Sequence, residues 1–321
     1  MKKQNKKILI TGGAGYIGIN LVSFLLKRKY NIDVIDNLST SSPINKNIIK
    51  KIKFYNIDLT KESKVKFFFK NKNFDLIVHL AAFSGVEEFN KNILKSFNNN
   101  VLSTKNLINY AFNKKNTKLI FASSAAVYGE TPKGRINESY ICKPLNYYGL
   151  SKLACENIIK RGLKRKKNNY AILRYFNVVG TVSSFKVKKK INSLFDIIGN
   201  NIKKKTYKIN INGKNLNTID GTPERDFIHI HDLCRIHQRI FSHLSKNNRT
   251  IINCGSGKSY SVSKIISSFE KKINKKFKIT YKVTNSNETQ TICANNDLLK
   301  SLLKIKMHKS KINDFVKDYL Y

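Results

Sequence analysis

Short apolar runs alternate with longer amphipathic stretches through the first half of the chain. Residues 8–10 are three consecutive branched aliphatics, the pattern of a strand buried on both faces. Apolar positions then recur at helical spacing over 17–29. The same periodicities predict strands at 31–36, 53–57, 76–80, 118–122 and 170–174, and helices at 62–70, 97–113 and 147–165. Strands alternating with helices in this way predict an α/β fold with a doubly wound parallel Rossmann sheet.

Past residue 177 the pattern breaks. Residues 181–190 are polar and basic without a period, as in a loop. A helix over 192–200, short strands near 209–211, a helix over 231–243 and a turn at 253–257 follow. The expected division is a Rossmann domain over 1–180 and a smaller C-terminal domain over 181–321, with some segments of the second returning to the first.

The chain has 321 residues, of which 41% are hydrophobic, enough for a sizeable core. No stretch has the length of a membrane span. A basic start, Met1 to Lys7, is followed by only three apolar residues before glycines begin, too few for the apolar region of a signal peptide. Five cysteines form no C-x-x-C pair, so a reducing cytoplasm is the expected compartment. A net charge of +41 raises nucleic-acid binding as a function. Such a surface should be local, whereas lysines here run from Lys2 to Lys317, mixed with Asn and Ile as AT-rich coding produces. Nucleic acid is therefore not an expected partner, and the charge instead favours capture of small anions.

Gly12, Gly13, Gly15 and Gly18 lie between the first strand and the first helix. Glycines at this spacing allow a tight turn and a bare backbone beside a pyrophosphate, with Tyr16 and Ile17 opening the helix whose N terminus faces it. Asp36 ends the next strand, 18 residues after Gly18. A carboxylate there bonds a ribose 2′-hydroxyl and repels a 2′-phosphate, which favours NAD over NADP. Asp58, after the third strand, is placed to reach the adenine.

Tyr148 and Lys152 are four apart on a predicted helix and share one face. A lysine ammonium and a cationic nicotinamide would lower the tyrosine pKa enough for it to act as a base. Ser124 ends the fifth strand, where open α/β sheets place ligands. Tyr147 is a rival base without a lysine at the same spacing, since position 151 is Ser151. His229 and His231 are expected to be structural, on alternate positions of one short strand, and no metal site is expected. Arg225 is a candidate phosphate clamp.

The chain resembles the UDP-glucose 4-epimerase family of extended short-chain dehydrogenase/reductases over nearly its whole length. The matching stretches include Thr11-Gly-Gly-Ala-Gly-Tyr-Ile-Gly18, Val34-Ile-Asp-Asn-Leu-Ser39 and His79-Leu-Ala-Ala82. Asn99-Asn-Val101, Ser123-Ser-Ala-Ala-Val-Tyr-Gly129, Tyr148-Gly-Leu-Ser-Lys152 and Leu173-Arg-Tyr-Phe-Asn177 continue it. Most telling is Asp220-Gly-Thr-Pro-Glu-Arg-Asp-Phe-Ile-His229, because many relatives share the cofactor half and few share this run.

The resemblance implies NAD-dependent inversion at C4 of a UDP-hexose, UDP-glucose or UDP-galactose, through a transient 4-keto sugar. It implies Ser124, Tyr148 and Lys152 as the catalytic group. It implies cofactor contacts at Gly12, Gly15, Tyr16, Ile17, Gly18, Asp36, Asn37, Asp58, Leu59, Asn99, Tyr148 and Lys152. For the substrate it implies Ser124, Tyr148, Asn177, Asn192 and Arg225, with Ile292 near the position that limits room for a 2-acetamido group. A homodimer is the family expectation. The chain departs from the pattern at Ser84, where close relatives carry lysine, and at Asn285 and Asn287-Glu288, where they carry arginine and Gly-Asp. Epimerisation of a UDP-N-acetylhexosamine or UDP-uronic acid, or decarboxylation, stays open. Dehydration is disfavoured, because Ala125-Ala126 stand where a dehydratase needs an acid/base pair. A nonenzymatic nucleic-acid-binding module is disfavoured because Ser124, Tyr148 and Lys152 are all present.

Overall fold

From Lys7 to Ser124 the chain runs β1 (Lys7–Thr11), α1 (Tyr16–Leu26), β2 (Asn31–Asp36), a short α2 (Lys46–Ile49), β3 (Lys53–Asn56), α3 (Glu62–Lys70), β4 (Leu76–His79), α4 (Ile93–Ala111) and β5 (Lys118–Ser124). It continues through β6 (Arg135–Ile136), α5 (Tyr147–Arg165), β7 (Tyr170–Tyr175) and β8 (Asn177–Val179). Next come α6 (Leu194–Lys203), β9 (Lys208–Asn212), β10 (Glu224–His229), α7 (Ile230–His243), β11 (Arg249–Cys254) and β12 (Ser259–Ser261). The last elements are α8 (Val262–Ile273), β13 (Lys278–Lys282), β14 (Thr291–Ala294), α9 (Asp297–Leu303) and α10 (Ile312–Leu320). The structure, a computed structural model, describes residues 6–84, 89–112, 116–132, 134–182, 193–244, 249–282 and 289–320.

Seven strands form one sheet in the order β11-β7-β5-β4-β1-β2-β3, all parallel. Side chains alternate across it. Ile8, Ile10, Ile32, Val34, Leu76, Val78, Ile120 and Ala122 pack on one face with α1 and α7. Leu9, Ile35, Ile77, Leu119 and Phe121 pack on the other with α3, α4 and α5. A sheet covered on both faces explains why its strands read as unbroken apolar runs. The chain reverses direction across the sheet between β1 and β4, and this switch point opens the crevice where such folds bind ligands.

A second sheet runs β12-β10-β14-β6, with β8 also paired to β10. β9 and β13 form a parallel pair beside it. A third core, around Phe195, Phe227, Phe269 and Phe315, lies under these strands. β11 comes from the C-terminal half yet pairs with β7 at the edge of the first sheet.

Differences from the sequence reading have local causes. α4 starts at Ile93, not 97, because the Asn92 side chain caps it by accepting from the Lys95 N–H at 3.0 Å. His229 and His231 do not share a strand. His229 ends β10, and His231 lies in the first turn of α7. Their rings meet edge to face with centres 6.5 Å apart, and His229 Nε2 pairs with Asp318 Oδ2 at 2.9 Å.

Candidate active site

The glycine turn is shaped by one close approach. Gly12 has φ of +71°, and a Cβ there would lie 2.6 Å from the Ala81 backbone nitrogen. Only glycine allows the turn to lie against the end of β4. No side chain caps the N terminus of α1, and this end opens into a cavity of about 1650 Å³. Gly12, Gly15, Tyr16, Ile17, Gly18, Asp36, Asn37, Asp58, Leu59 and Asn99 all line that cavity. Asp36 accepts from the N–H groups of Ala14 at 3.0 Å and Leu38 at 2.8 Å, and from Ser41 Oγ at 3.1 Å. A carboxylate has about four acceptor positions, so one stays available to a ribose hydroxyl. The Tyr16 hydroxyl points elsewhere, donating to the Gly180 carbonyl at 2.6 Å.

Ser124, Tyr148 and Lys152 line the same cavity at the ends of β5 and α5. Gly149 makes this convergence possible. A Cβ there would lie 2.3 Å from the Ala126 carbonyl oxygen, so any other residue would push α5 off the β5 turn. Asn146 caps the helix by accepting from the Gly149 N–H at 2.9 Å. Burial pushes the Tyr148 phenol up to about 12, against the lowering influence of the Ser124 hydroxyl. Lys152 is buried, and its Nζ donates to the Ala122 carbonyl at 2.8 Å. Burial lowers its ammonium to about 8, against opposing contributions from Cys155 and Glu156. Its Nζ lies 6.0 Å from the Tyr148 ring centre, and burial rather than this lysine governs the phenol. Tyr147, the rival base, is half exposed and does not line the cavity.

The opposite wall carries Asn177, Arg225 and Ile292. Arg225 and Ile292 are register partners on β10 and β14. Arg225 Nη1 donates to the carbonyls of Glu224 at 2.9 Å and Gln290 at 3.0 Å. Ile292 packs with Phe176, Ala125 and Tyr128 beneath the cavity. Ser84 also lines it. Asn192, Asn285, Asn287 and Glu288 lie outside the described residues.

Some cavity and support residues escaped the sequence reading. Tyr175 and Phe176 line the cavity at the end of β7. Asn100 joins three elements, accepting from the Phe83 N–H at 2.8 Å and donating to Ser151 Oγ at 3.1 Å. His79 bridges Thr11 Oγ1 at 2.7 Å and Thr104 Oγ1 at 3.0 Å. Burial, with help from Lys152, lowers its imidazole to about 3, so it is neutral. A polar residue closing a buried strand was the available signal for His79. Among the described residues, no three His, Cys, Asp or Glu side chains gather as a metal site. No described helix is long and apolar enough to cross a membrane.

A dinucleotide crevice joined to a Tyr-Lys-Ser group defines the class of the protein as a nucleotide-dependent redox fold. Residues 8–255 match the NAD dependent epimerase/dehydratase family, and the chain belongs to it. A UDP-glucose 4-epimerase of Dictyostelium discoideum is 33% identical over 297 residues, 89% of this chain and 86% of that one. The structure of a UDP-glucose 4-epimerase from Bifidobacterium longum, in complex with NAD+ and UDP, superposes with a TM-score of 0.89 at 28% identity, covering 98% and 97% of the two chains. A UDP-Glc/GlcNAc 4-epimerase from Campylobacter jejuni is 31% identical with a TM-score of 0.83, covering 98% of each chain.

Proposed function

We propose that this protein is an NAD-dependent isomerase that inverts C4 of a UDP-hexose, with UDP-glucose and UDP-galactose as its main pair. The observation that carries this reading is one continuous cavity. The glycine turn and Asp36 lie at one end, Asn177, Arg225 and Ile292 at the other, and Tyr148, Lys152 and Ser124 between them. Its volume of about 1650 Å³ accommodates two ligands of ordinary size. The glycine turn, the uncapped helix N terminus and the spare acceptor on Asp36 fit a dinucleotide with free ribose hydroxyls. Bound NAD supplies the hydride acceptor and donor.

The chain's own residues then have distinct tasks. Ser124 hydrogen-bonds the sugar 4-hydroxyl, and Tyr148 takes its proton as the 4-keto sugar forms. Lys152 stays protonated near neutral pH and stabilises the phenolate, and it holds a ribose hydroxyl. A phenol near 12 is a poor base until cationic charge enters the pocket, so proton removal waits for the cofactor. Arg225 and Asn177 grip the UDP while the keto sugar turns over, and Tyr148 returns the proton to the other epimer. Asn192 belongs to the same grip by resemblance.

The division at 180/181 is likewise proposed, with the first part binding NAD and the second the nucleotide sugar. Exposed Leu94 on α4 and Leu150 on α5 support a homodimer packed through these neighbouring helices, which sedimentation at micromolar concentration tests. Five unpaired cysteines fit a cytoplasmic protein. Turnover of UDP-galactose to UDP-glucose by purified protein, followed by NMR, tests the function. No conversion of this substrate in the presence of NAD would refute it.

A further inference from the structure

Behind the catalytic group lies a buried ion pair that none of these steps uses. Glu156 sits on α5, four residues beyond Lys152, with no exposed surface. Arg174, on β7, is 2% exposed. Its Nε reaches Glu156 Oε1 at 3.0 Å and its Nη2 reaches Oε2 at 2.8 Å, a bidentate pair. Glu156 Oε1 also accepts from Ser123 Oγ at 2.6 Å. Arg174 Nη1 continues to the Tyr128 hydroxyl at 3.0 Å and the Glu138 carbonyl at 3.2 Å. One carboxylate thus ties the helix of Tyr148 and Lys152 to the strand that ends in Ser124.

Stability does not account for this arrangement. Burying two charges is expensive, and an apolar replacement of similar volume often does as well. We propose that Glu156 is a positioning residue for the reaction, whose Arg174-held carboxylate keeps Ser124 in reach of Tyr148 and supplies negative charge that keeps Lys152 protonated. The proposal rests on the reading of Ser124, Tyr148 and Lys152 as the catalytic group.

The surroundings of Lys152 leave few other sources of that charge. On its own helix stand Tyr148, Cys155 and Glu156. From β4 comes His79, whose imidazole is neutral. From β5 come the Phe121 ring, 5.0 Å from Nζ, and the Ala122 carbonyl. Arg174 on β7 is cationic and paired with Glu156, which Lys160, one turn further along α5, also meets at 3.5 Å. Burial raises the Cys155 thiol, so it stays uncharged at neutral pH. Burial also pushes the Glu156 carboxyl upward, but its bonds to Arg174 outweigh that and hold it below the usual range, so it stays ionised.

Lys152 carries its charge below about pH 8 and loses it as pH rises through that value. Glu156→Gln should therefore move the alkaline limb of the kcat profile to lower pH by about one unit, the low end of what one nearby charge produces. It should also lower kcat at pH 7 about tenfold, because small misplacements of reacting groups cost up to about a hundredfold. KM should change little. Glu156→Asp keeps the charge and shortens the reach, so its alkaline limb should stay in place while kcat falls. Ser123→Ala removes only the strand-end bond and should lower kcat with no shift of the limb. An unshifted limb and wild-type kcat in Glu156→Gln would overturn the proposal. Should that variant fail to fold, wild-type kcat in both Glu156→Asp and Ser123→Ala would do the same. Activity surviving in Tyr148→Phe would refute the catalytic reading itself. An inactive Tyr148→Phe beside a normal Glu156→Gln would refute this inference alone.

Discussion

One end of the cavity is lined by contiguous segments, residues 12 and 14–18, 35–37 and 39–42, and 57–61. The other end is lined by one short run, residues 175–178, and by Ser193, Arg225, Thr289 and Ile292, single side chains from scattered parts of the chain. The first end presents backbone at strand ends of one sheet, held by Asp36 across the glycine turn. The second depends on short strands, β8, β10 and β14, paired across long stretches of sequence. Under the proposed function, the first end would hold the cofactor and the second would choose the sugar. A grip assembled from isolated side chains can change one residue at a time without disturbing the fold.

The largest expected effect lies where the two ends meet. Tyr148→Phe should lower kcat by about 10² or more, the usual range for a lost acid–base group. NAD affinity, measured by calorimetry, should stay within a few fold, and a matching loss of NAD binding would erase the separation between the two ends. Next comes the cofactor end. Asp36→Ala should reduce the preference for NAD over NADP by about ten- to a hundredfold, the value of a hydrogen bond to a charged group. Equal affinity of the unaltered protein for both dinucleotides would remove Asp36 from its assigned role.

Arg225→Ala should raise KM for the UDP-sugar by about tenfold, again the scale of a charge-assisted bond, with NAD affinity unchanged. A change in NAD affinity instead would place the arginine at the wrong end. The smallest effect concerns Ile292. Ile292→Gly should raise activity on the N-acetyl pair relative to the plain pair, and Ile292→Tyr should lower it, within about 1–3 kcal/mol of discrimination. Parallel changes in both activities would show that the wall at Ile292 does not sort the sugars.

The same contrast explains what was legible in the sequence. β1 to β5 and the helices between them, apart from the short α2, follow from buried apolar runs and helical periodicity, because each element meets its neighbours locally. The glycines, Asp36 and the Tyr148–Lys152 spacing were legible because their chemistry depends on short-range geometry. β6, β8 and β14 are two to four residues long, too short for any period, and they exist only through partners far along the chain. The Glu156–Arg174 pair was invisible for the same reason. In a chain with 61 Lys and Arg residues, Arg174 does not stand out until the fold sets it beside its carboxylate. The His229–His231 pair misled the sequence reading because a strand-to-helix junction falls between them.

The most direct test of the account follows the hydrogen at the sugar's C4. Purified protein with NAD and UDP-galactose deuterated at C4 should yield UDP-glucose that keeps its deuterium at C4, with no accumulation of free NADH. That outcome requires a hydride removed and returned within one closed site, with Tyr148 handling only the proton. Release of NADH in proportion to sugar consumed, or exchange of the C4 deuterium with water, would contradict it.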